Sequence, residues 1–318
     1  MKRVIFAAVA ALVAAPLLAW HPPKMGVKEN PSPKDGKRTW PEVVAAFKAT
    51  LPKCGEAWEL DKKGYVCFND MGVLDFNGTL TADEEITQLA VWSAMCSPLL
   101  TVGDRAKIRE STRKLMDNLD FQNVSQDFVA RQAYPVYAKD DVYVLIKDCW
   151  GLNCPRKVVT CVNFSDRPAE LSVALATLEL EGPATVNDVL YGTEPQKDVA
   201  GPIKVSLKPH QTRQFRVFGK KALMRRSYTA ADSVRGRMGA DVQFNHVFAP
   251  KCADYRLKVT MKDKSSYALQ VNGLFVARDV SGSREFTVPL FLNDNNLRFV
   301  GTGDKIPAVD AIELSALQ

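Results

Sequence analysis

The sequence predicts a mostly β protein in which a short helical segment precedes two antiparallel β regions. Helical patterns are confined to the first third of the 318 residues. From about residue 118 the chain consists of short alternating segments separated by turn residues, which is typical of an antiparallel sandwich. A second run of such segments follows a basic linker at 220–226. A hydrophobic content of 46% supports packed cores in a chain of this length.

The two β regions are predicted strand by strand. In the first, the strands are 142–147, 158–164, 171–175, 184–190, 203–207 and 212–218. In the second, they are 255–261, 267–271, 275–279, 285–290, 297–300 and 311–314. Asn272-Gly273 between two apolar segments is a strong hairpin signal.

Two helices are predicted before the strands. The first begins at Trp40 and places apolar residues on one face up to Leu51. A short buried strand is expected at 64–68. The second helix begins after Thr81, which forms a capping box with Glu84. Because this helix is apolar nearly all round, we expect it to be buried against several neighbours.

The N-terminus has the composition of a signal peptide. Lys2 and Arg3 precede an apolar stretch at 4–18, and cleavage is expected after Ala19, with Ala15 as the second choice. The alternative is an uncleaved anchor. Residues 1–19 are therefore predicted to direct the chain into the secretory pathway, to the outside or to a lysosome-like or vacuolar compartment, with no membrane attachment after cleavage.

Charge, cysteines and sequons agree with a secreted protein. The net charge of +6 is spread without a basic stripe, which argues against nucleic acid as a partner. Of seven cysteines, Cys149 and Cys154 are the preferred disulfide, and Cys54 with Cys67 is the alternative. The glycosylation signals lie at Asn77, Asn123 and Asn163.

The segment 68–100 carries a resemblance to a known family. Its matching residues are Asn69, Asp70, Met71, Trp92, Ala94, Met95, Pro98, Leu99 and Leu100. This segment resembles the last strand, loop and helix of the catalytic barrel of family 27 glycoside hydrolases, the α-galactosidases and α-N-acetylgalactosaminidases. The segments 118–127, 163–168 and 208–210 resemble the family's link to its C-terminal domain and landmarks within that domain.

The resemblance implies an incomplete barrel. A (β/α)8 barrel needs about 250 residues, whereas its last strand falls here within the first third of the chain. We therefore expect residues 20–117 to be a remnant formed by the last βα units of a (β/α)8 barrel. An antiparallel β-sandwich is expected at 118–219, and a second β-sandwich module at 227–318.

The second module resembles family 35 and family 6 carbohydrate-binding modules. The matching segments are 228–232, 255–259, 271–273, 295–297 and 309–314. A generic secreted β-sandwich is the alternative. The resemblance implies carbohydrate as a partner, and the aromatic candidates for sugar stacking are Tyr228, Tyr255, Tyr267 and Phe275.

The same resemblances imply the candidate site residues. One alignment places Asp35 on the family's acid/base aspartate, and a rival alignment leaves that position in a gap. No residue matches the nucleophile, and Asn69 and Asp70 correspond to residues that shape the substrate site. Where family 35 modules hold calcium through glutamates, only Asp232 and Asp310 remain as candidate ligands. No other cofactor is expected.

Three functions are compatible with these features. The first is a secreted α-galactosidase relative that is truncated and lacks its own hydrolytic activity. The second is a secreted carbohydrate-binding protein for galactose-containing glycans. The third is an active enzyme with an unrecognised pair of carboxylates. We expect that the chain descends from the α-galactosidase family, as in the first hypothesis. We expect that the activity it keeps is carbohydrate binding, as in the second.

Overall fold

The fold is known from a computed structural model. It describes residues 26–29, 38–52, 67–76, 78–102, 105–126, 132–149, 156–223, 225–235, 240–291, 293–303 and 305–317. The signal peptide, Asp35, Asn77 and Cys154 lie outside the described residues, so the predictions made for them stay predictions. Among the residues that are described, no helix is both long and apolar enough to cross a membrane.

The first part of the chain is a helical layer with two short parallel strand pairs. Its described helices are α1 (Trp40–Thr50), α2 (Ala82–Ala94), α3 (Glu110–Met116) and α4 (Leu119–Ser125). Its strands are β1 (Gly26–Glu29), β2 (Cys67–Asp70), β3 (Leu74–Asp75) and β4 (Thr101–Val102). The parallel pairs are β1 with β2 and β3 with β4.

Both predicted helices are confirmed, but α3 and α4 were not predicted. The capping box of α2 is present, with the Thr81 N–H donating to Glu84 Oε2 at 2.7 Å. Each residue from Glu84 to Ala94 is buried. The predicted link at 118–127 is mostly helix, and Asn118 caps it by accepting from the N–H of Asp120 at 2.7 Å.

The middle part holds a six-stranded and a two-stranded antiparallel sheet. Its strands are β5 (Tyr134–Lys139), β6 (Val142–Cys149), β7 (Arg156–Asn163), β8 (Ala169–Val173), β9 (Leu180–Asp188), β10 (Gln196–Val199), β11 (Ile203–Leu207) and β12 (Thr212–Ala222). The orders are β10-β9-β12-β7-β6-β5 and β11-β8. Strand β12 extends into the predicted linker, so part of 220–226 is strand.

The central strands of the six-stranded sheet are buried on both faces. On β6, Val144 and Ile146 face the core shared with the two-stranded sheet. Leu145 and Cys149, on the opposite face, belong to the core shared with the helices. This explains the almost continuous apolar run of β6, since a strand covered on both faces does not alternate.

The last part consists of a four-stranded and a five-stranded sheet that share one core. Its strands are β13 (Ser227–Thr229), β14 (Val234–Arg235), β15 (Asp241–Ala249), β16 (Ala253–Met261), β17 (Ser266–Val271), β18 (Leu274–Ser281), β19 (Arg284–Leu290), β20 (Asn293–Gly301) and β21 (Val309–Ala316). The orders are β13-β21-β16-β19 and β14-β15-β20-β17-β18. The predicted hairpin turn is confirmed, with positive φ at Asn272 (51°) and Gly273 (83°).

The last part contacts the middle part through a buried cation. The Nζ of Lys157 on β7 lies 4.6 Å from the ring centroid of Phe248 on β15. The same nitrogen pairs with Asp148 and, at 3.2 Å, with Glu179. Because these two carboxylates balance the charge, a lysine that is only 2% exposed is accommodated at this contact.

We predict that Trp92→Ala destabilises the protein by about 3–5 kcal/mol, because it removes a large side chain from the core of the helical layer. Trp92 is fully buried, and its indole N–H donates to the carbonyl of Gly72 at 2.6 Å. Urea unfolding followed by circular dichroism measures the change. Leu119→Ala is the matched control, since Leu119 is 74% exposed. Equal effects of the two substitutions would contradict this packing.

Candidate functional site

The strand end that carries Asn69 and Asp70 lies on β2, beside β1. Asp70 is paired in register with Glu29. Its side chain is 8% exposed, and its Oδ1 accepts from the Gly72 N–H at 2.8 Å and from Ser97 Oγ at 3.1 Å. Ser97 Oγ in turn accepts from the Met71 N–H at 2.7 Å. The carboxylate therefore fixes the loop that follows β2.

A buried arginine lies beside this loop. The guanidinium of Arg38 lies over the ring of Trp92, 5.1 Å from its centroid, and Arg38 is 2% exposed. Burial lowers the pKa of Arg38, while nearby Glu42, Asp75 and Asp70 favour its charged form. The Arg38 N–H donates to Asp75 Oδ2 at 2.5 Å. Asp70 and Asp75 thus accept hydrogen bonds from backbone N–H groups, and their negative charges balance the buried guanidinium of Arg38.

His210 brings together two carboxylates that the sequence did not connect. Its Nδ1 lies 2.7 Å from Glu84 Oε1, and its Nε2 lies 2.9 Å from Asp166 Oδ1. The imidazole stacks on Trp40 with centroids 4.5 Å apart. The His210 carbonyl accepts from Thr87 Oγ1 at 2.8 Å. Since Glu84 also caps α2, this group joins the helix start to the turn before β12.

The aromatic candidates divide by exposure. Tyr228, Tyr255 and Tyr267 are 3% exposed or less, so they are core residues and cannot stack on a sugar. Phe275 is 44% exposed. Leu274 and Phe291 are also exposed, at 63% and 55%. Sequence reasoning did not single out these last two, although Leu274 begins β18 directly after a turn and Phe291 directly follows β19.

We call Leu274, Phe275 and Phe291 the apolar end surface; they lie beside two turns at one end of the module, and Leu274 and Phe275, as neighbours on β18, point to opposite faces of the sheet. Asn295, which is fully buried, positions the two turns that carry this surface. Its Oδ1 accepts from Asn272 Nδ2 and from the Phe291 N–H, each at 2.8 Å. Its Nδ2 donates to the carbonyls of Phe291 at 2.9 Å and Val247 at 3.1 Å. One satisfied side chain therefore makes the two turns neighbours.

The residues proposed for calcium do not fit that ion. Asp232 Oδ2 accepts from the Thr229 N–H at 2.8 Å and from Arg225 at 2.7 Å. Asp310 lies 3.6 Å from the Lys262 Nζ. Calcium takes six to eight oxygen ligands, and within the described ranges no group of three or more His, Cys, Asp or Glu is placed to hold a metal.

The glycosylation signals have different environments. Asn123 is exposed on α4. Asn163 is fully buried, and its Nδ2 donates to the carbonyls of Arg167 at 2.7 Å and Lys208 at 2.9 Å. Because both hydrogens of its amide are used inside the fold, a glycan at Asn163 is incompatible with this structure. Cys149 is buried at the end of β6; its pairing with Cys154 stays a prediction.

Solved structures similar to this chain include glycoside hydrolases. An isomalto-dextranase from Arthrobacter globiformis T6, complexed with panose, has a TM-score of 0.52 and 16% identity, over 78% of this chain and 50% of that one. α-Galactosidase I from Mortierella vinacea has a TM-score of 0.46 and 18% identity, over 50% and 42%. A GH27 β-L-arabinopyranosidase from Geobacillus stearothermophilus has a TM-score of 0.47 and 22% identity, over 56% of this chain and 42% of that one.

The likeness of fold rests on the isomalto-dextranase, whose TM-score is 0.52. The chain spans half the length of the isomalto-dextranase. It spans less than half the length of each of the other two enzymes. A match over 78% of the chain is longer than everything before residue 227, so it includes part of the last two sheets. No model of a known protein family matches the sequence.

We predict that Asp70→Ala destabilises the protein by about 2–3 kcal/mol, because it leaves the Gly72 N–H and the Ser97 hydroxyl without a charged acceptor. Asp70→Asn keeps an oxygen in the same place and should cost less than about 1 kcal/mol. Thermal unfolding of both variants measures the difference. If the asparagine variant were as unstable as the alanine variant, the loop-capping role would be wrong.

Proposed function

We propose that this chain is a secreted carbohydrate-binding protein that descends from the α-galactosidase family and performs no hydrolysis of its own. In this proposal, residues 20–117 are a remnant of a (β/α)8 barrel, and the sandwiches at 118–219 and 227–318 are retained. The ligands are galactose-containing glycans. The likeness of fold to glycoside hydrolases supports a carbohydrate-related function.

The observation that carries the proposal is the apolar end surface. Sugars present apolar C–H faces that pack on aromatic rings, while their hydroxyls need hydrogen-bond partners around the ring. Phe275 and Phe291 offer exposed aromatic area next to two turns. The guanidinium of Arg278 lies over the Phe275 ring, 3.6 Å from its centroid, so it covers one face of that ring and offers N–H donors next to the open face.

The surface is also rigid, which reduces the cost of binding. Asn295 holds both turns through three hydrogen bonds and ties them to β15 through a fourth, so the aromatic side chains start from a fixed backbone. A preorganised site loses less conformational entropy when it binds. This fixed backbone supports a binding role for the end of the module.

The state of the carboxylates supports the absence of hydrolysis. Retaining glycosidases need two carboxylates about 5–5.5 Å apart, one of which acts as nucleophile. Asp70 and Asp75 each accept from backbone N–H groups. Glu85 is buried and pairs with Arg109, and its Oε2 accepts from Thr112 Oγ1 at 2.6 Å. These acids all serve the packing of the helical layer.

We predict that Phe291→Ala weakens binding of a galactose-containing oligosaccharide about tenfold, the equivalent of ~1.4 kcal/mol. Isothermal titration calorimetry with the full chain measures it, with panose as a second probe. Leu119→Ala is the matched control, because Leu119 is exposed on α4 in the helical layer. Equal affinity of wild type and Phe291→Ala would place the ligand elsewhere. Preference for panose would contradict the galactose assignment.

The same preparation tests catalysis. We expect no turnover of an aryl α-galactoside above the buffer rate. Turnover that is lost in Asp35→Asn would contradict the absence of hydrolysis and would revive the enzyme hypothesis. Binding and turnover are measured separately, so one part of the proposal can fail without the other.

A further inference from the structure

Cys96 and Lys147 meet where the helical layer lies on the six-stranded sheet. The Nζ of Lys147 lies 2.7 Å from the Sγ of Cys96. Lys147 is on β6, on the face of the sheet that the helices cover, and is fully buried. Cys96 follows the end of α2 and is half-buried. The proposed glycan binding uses neither residue.

The separation is short for a hydrogen bond to sulfur. An N–H···O bond has a nitrogen–oxygen distance of about 2.9 Å, and a sulfur acceptor has a larger radius than oxygen. One oxygen atom bonded to both nitrogen and sulfur spans 2.7 Å at ordinary bond lengths and a bent angle. We propose that Cys96 and Lys147 are an oxidative modification site, at which a nitrogen–oxygen–sulfur bridge joins α2 to β6.

The backbone holds both partners in place for this reaction. Cys96 has a positive φ of 51°, and its N–H donates to the carbonyl of Ser93 at 3.2 Å. The next N–H, from Ser97, donates to the carbonyl of Trp92 at 2.9 Å. Lys147 lies in the sheet opposite Val158 of β7. Two reacting groups fixed at contact distance react as in an intramolecular step.

The chemistry balances with hydrogen peroxide as the oxidant. The Cys96 thiol attacks one peroxide, whose O–O bond breaks, which gives the sulfenic acid and water. The Lys147 amine attacks a second peroxide in the same way and gives the hydroxylamine and water. The hydroxylamine oxygen then attacks the sulfenic sulfur, the sulfur–oxygen bond to the leaving hydroxyl breaks, and a third water is released. Sulfur and nitrogen each lose two electrons, and the two peroxides accept all four.

The bridge would restrain the unfolded chain as a disulfide does. It joins residues 51 positions apart and closes a loop that includes α3, α4 and β5. Cross-links of this kind limit the conformations of the unfolded state. A thiol reductant opens the bridge: it attacks the sulfur, the hydroxylamine of Lys147 leaves, and a second thiol returns Cys96 to the free thiol with release of the oxidised reductant. The helical layer would thus be fixed to the sheet under oxidising conditions.

The test is peptide mapping by mass spectrometry. The full chain is treated with hydrogen peroxide, digested without reductant and analysed, then analysed again after addition of dithiothreitol. We expect one cross-linked pair of peptides that contains Cys96 and Lys147. Its mass should exceed the sum of the two peptides by one oxygen less two hydrogens, and the reductant should release it.

Two variants and one internal control sharpen the result. Cys96→Ser and Lys147→Arg should each abolish the cross-linked pair. Cys161 should stay unmodified, because burial raises the pKa of its thiol to about 12 and it lies in the core between two sheets. Cys96 found only as sulfinic or sulfonic acid, or in a disulfide, would overturn the proposal. So would a cross-link that persists in Lys147→Arg.

Discussion

The structure depends on a six-stranded sheet whose central strands must be covered on both faces. Its apolar side chains alternate between two cores, so neither face can be left in water without a large loss of hydrophobic free energy. The two-stranded sheet covers one face, and α2 with its neighbours covers the other. Polar contacts align the helix: Gln214 on β12 donates to the Ala90 carbonyl at 3.2 Å, and the Ala133 N–H donates to the Ala94 carbonyl at 2.9 Å.

The need to cover this sheet explains why the helical layer is stable in the folded protein and what its polar residues do. A helix apolar all round is stable only inside a protein, and here the sheet supplies one side of its environment. Asp70, which corresponds to a residue that shapes the glycosidase site, instead holds the loop after β2 and lies near a buried arginine. The surface proposed for the ligand lies in the last two sheets, where Asn295 fixes two turns.

Local sequence patterns predicted many of the strands, turns and helix caps of this fold. They did not predict which residues far apart in the sequence contact one another. The capping box of Thr81, the Asn272-Gly273 turn and β11 could be predicted because neighbouring residues decide them. Strand β15 was missed because its pairing with β20 shifts register between Phe244 and Val247, which breaks the alternation. The two carboxylates at His210 are 126 and 44 residues away in the sequence, so no local pattern connects them.

The central claim is that the helical layer and the six-stranded sheet form one folding unit. Native-state hydrogen exchange of the full chain tests it most directly, because exchange reports the free energy needed to open each element. We predict that the amides of α2 exchange with the same free energy as those of β6, β7 and β12. Exchange of α2 at a free energy well below that of the sheet would show that the helices are an independent, weakly held layer and would contradict the claim.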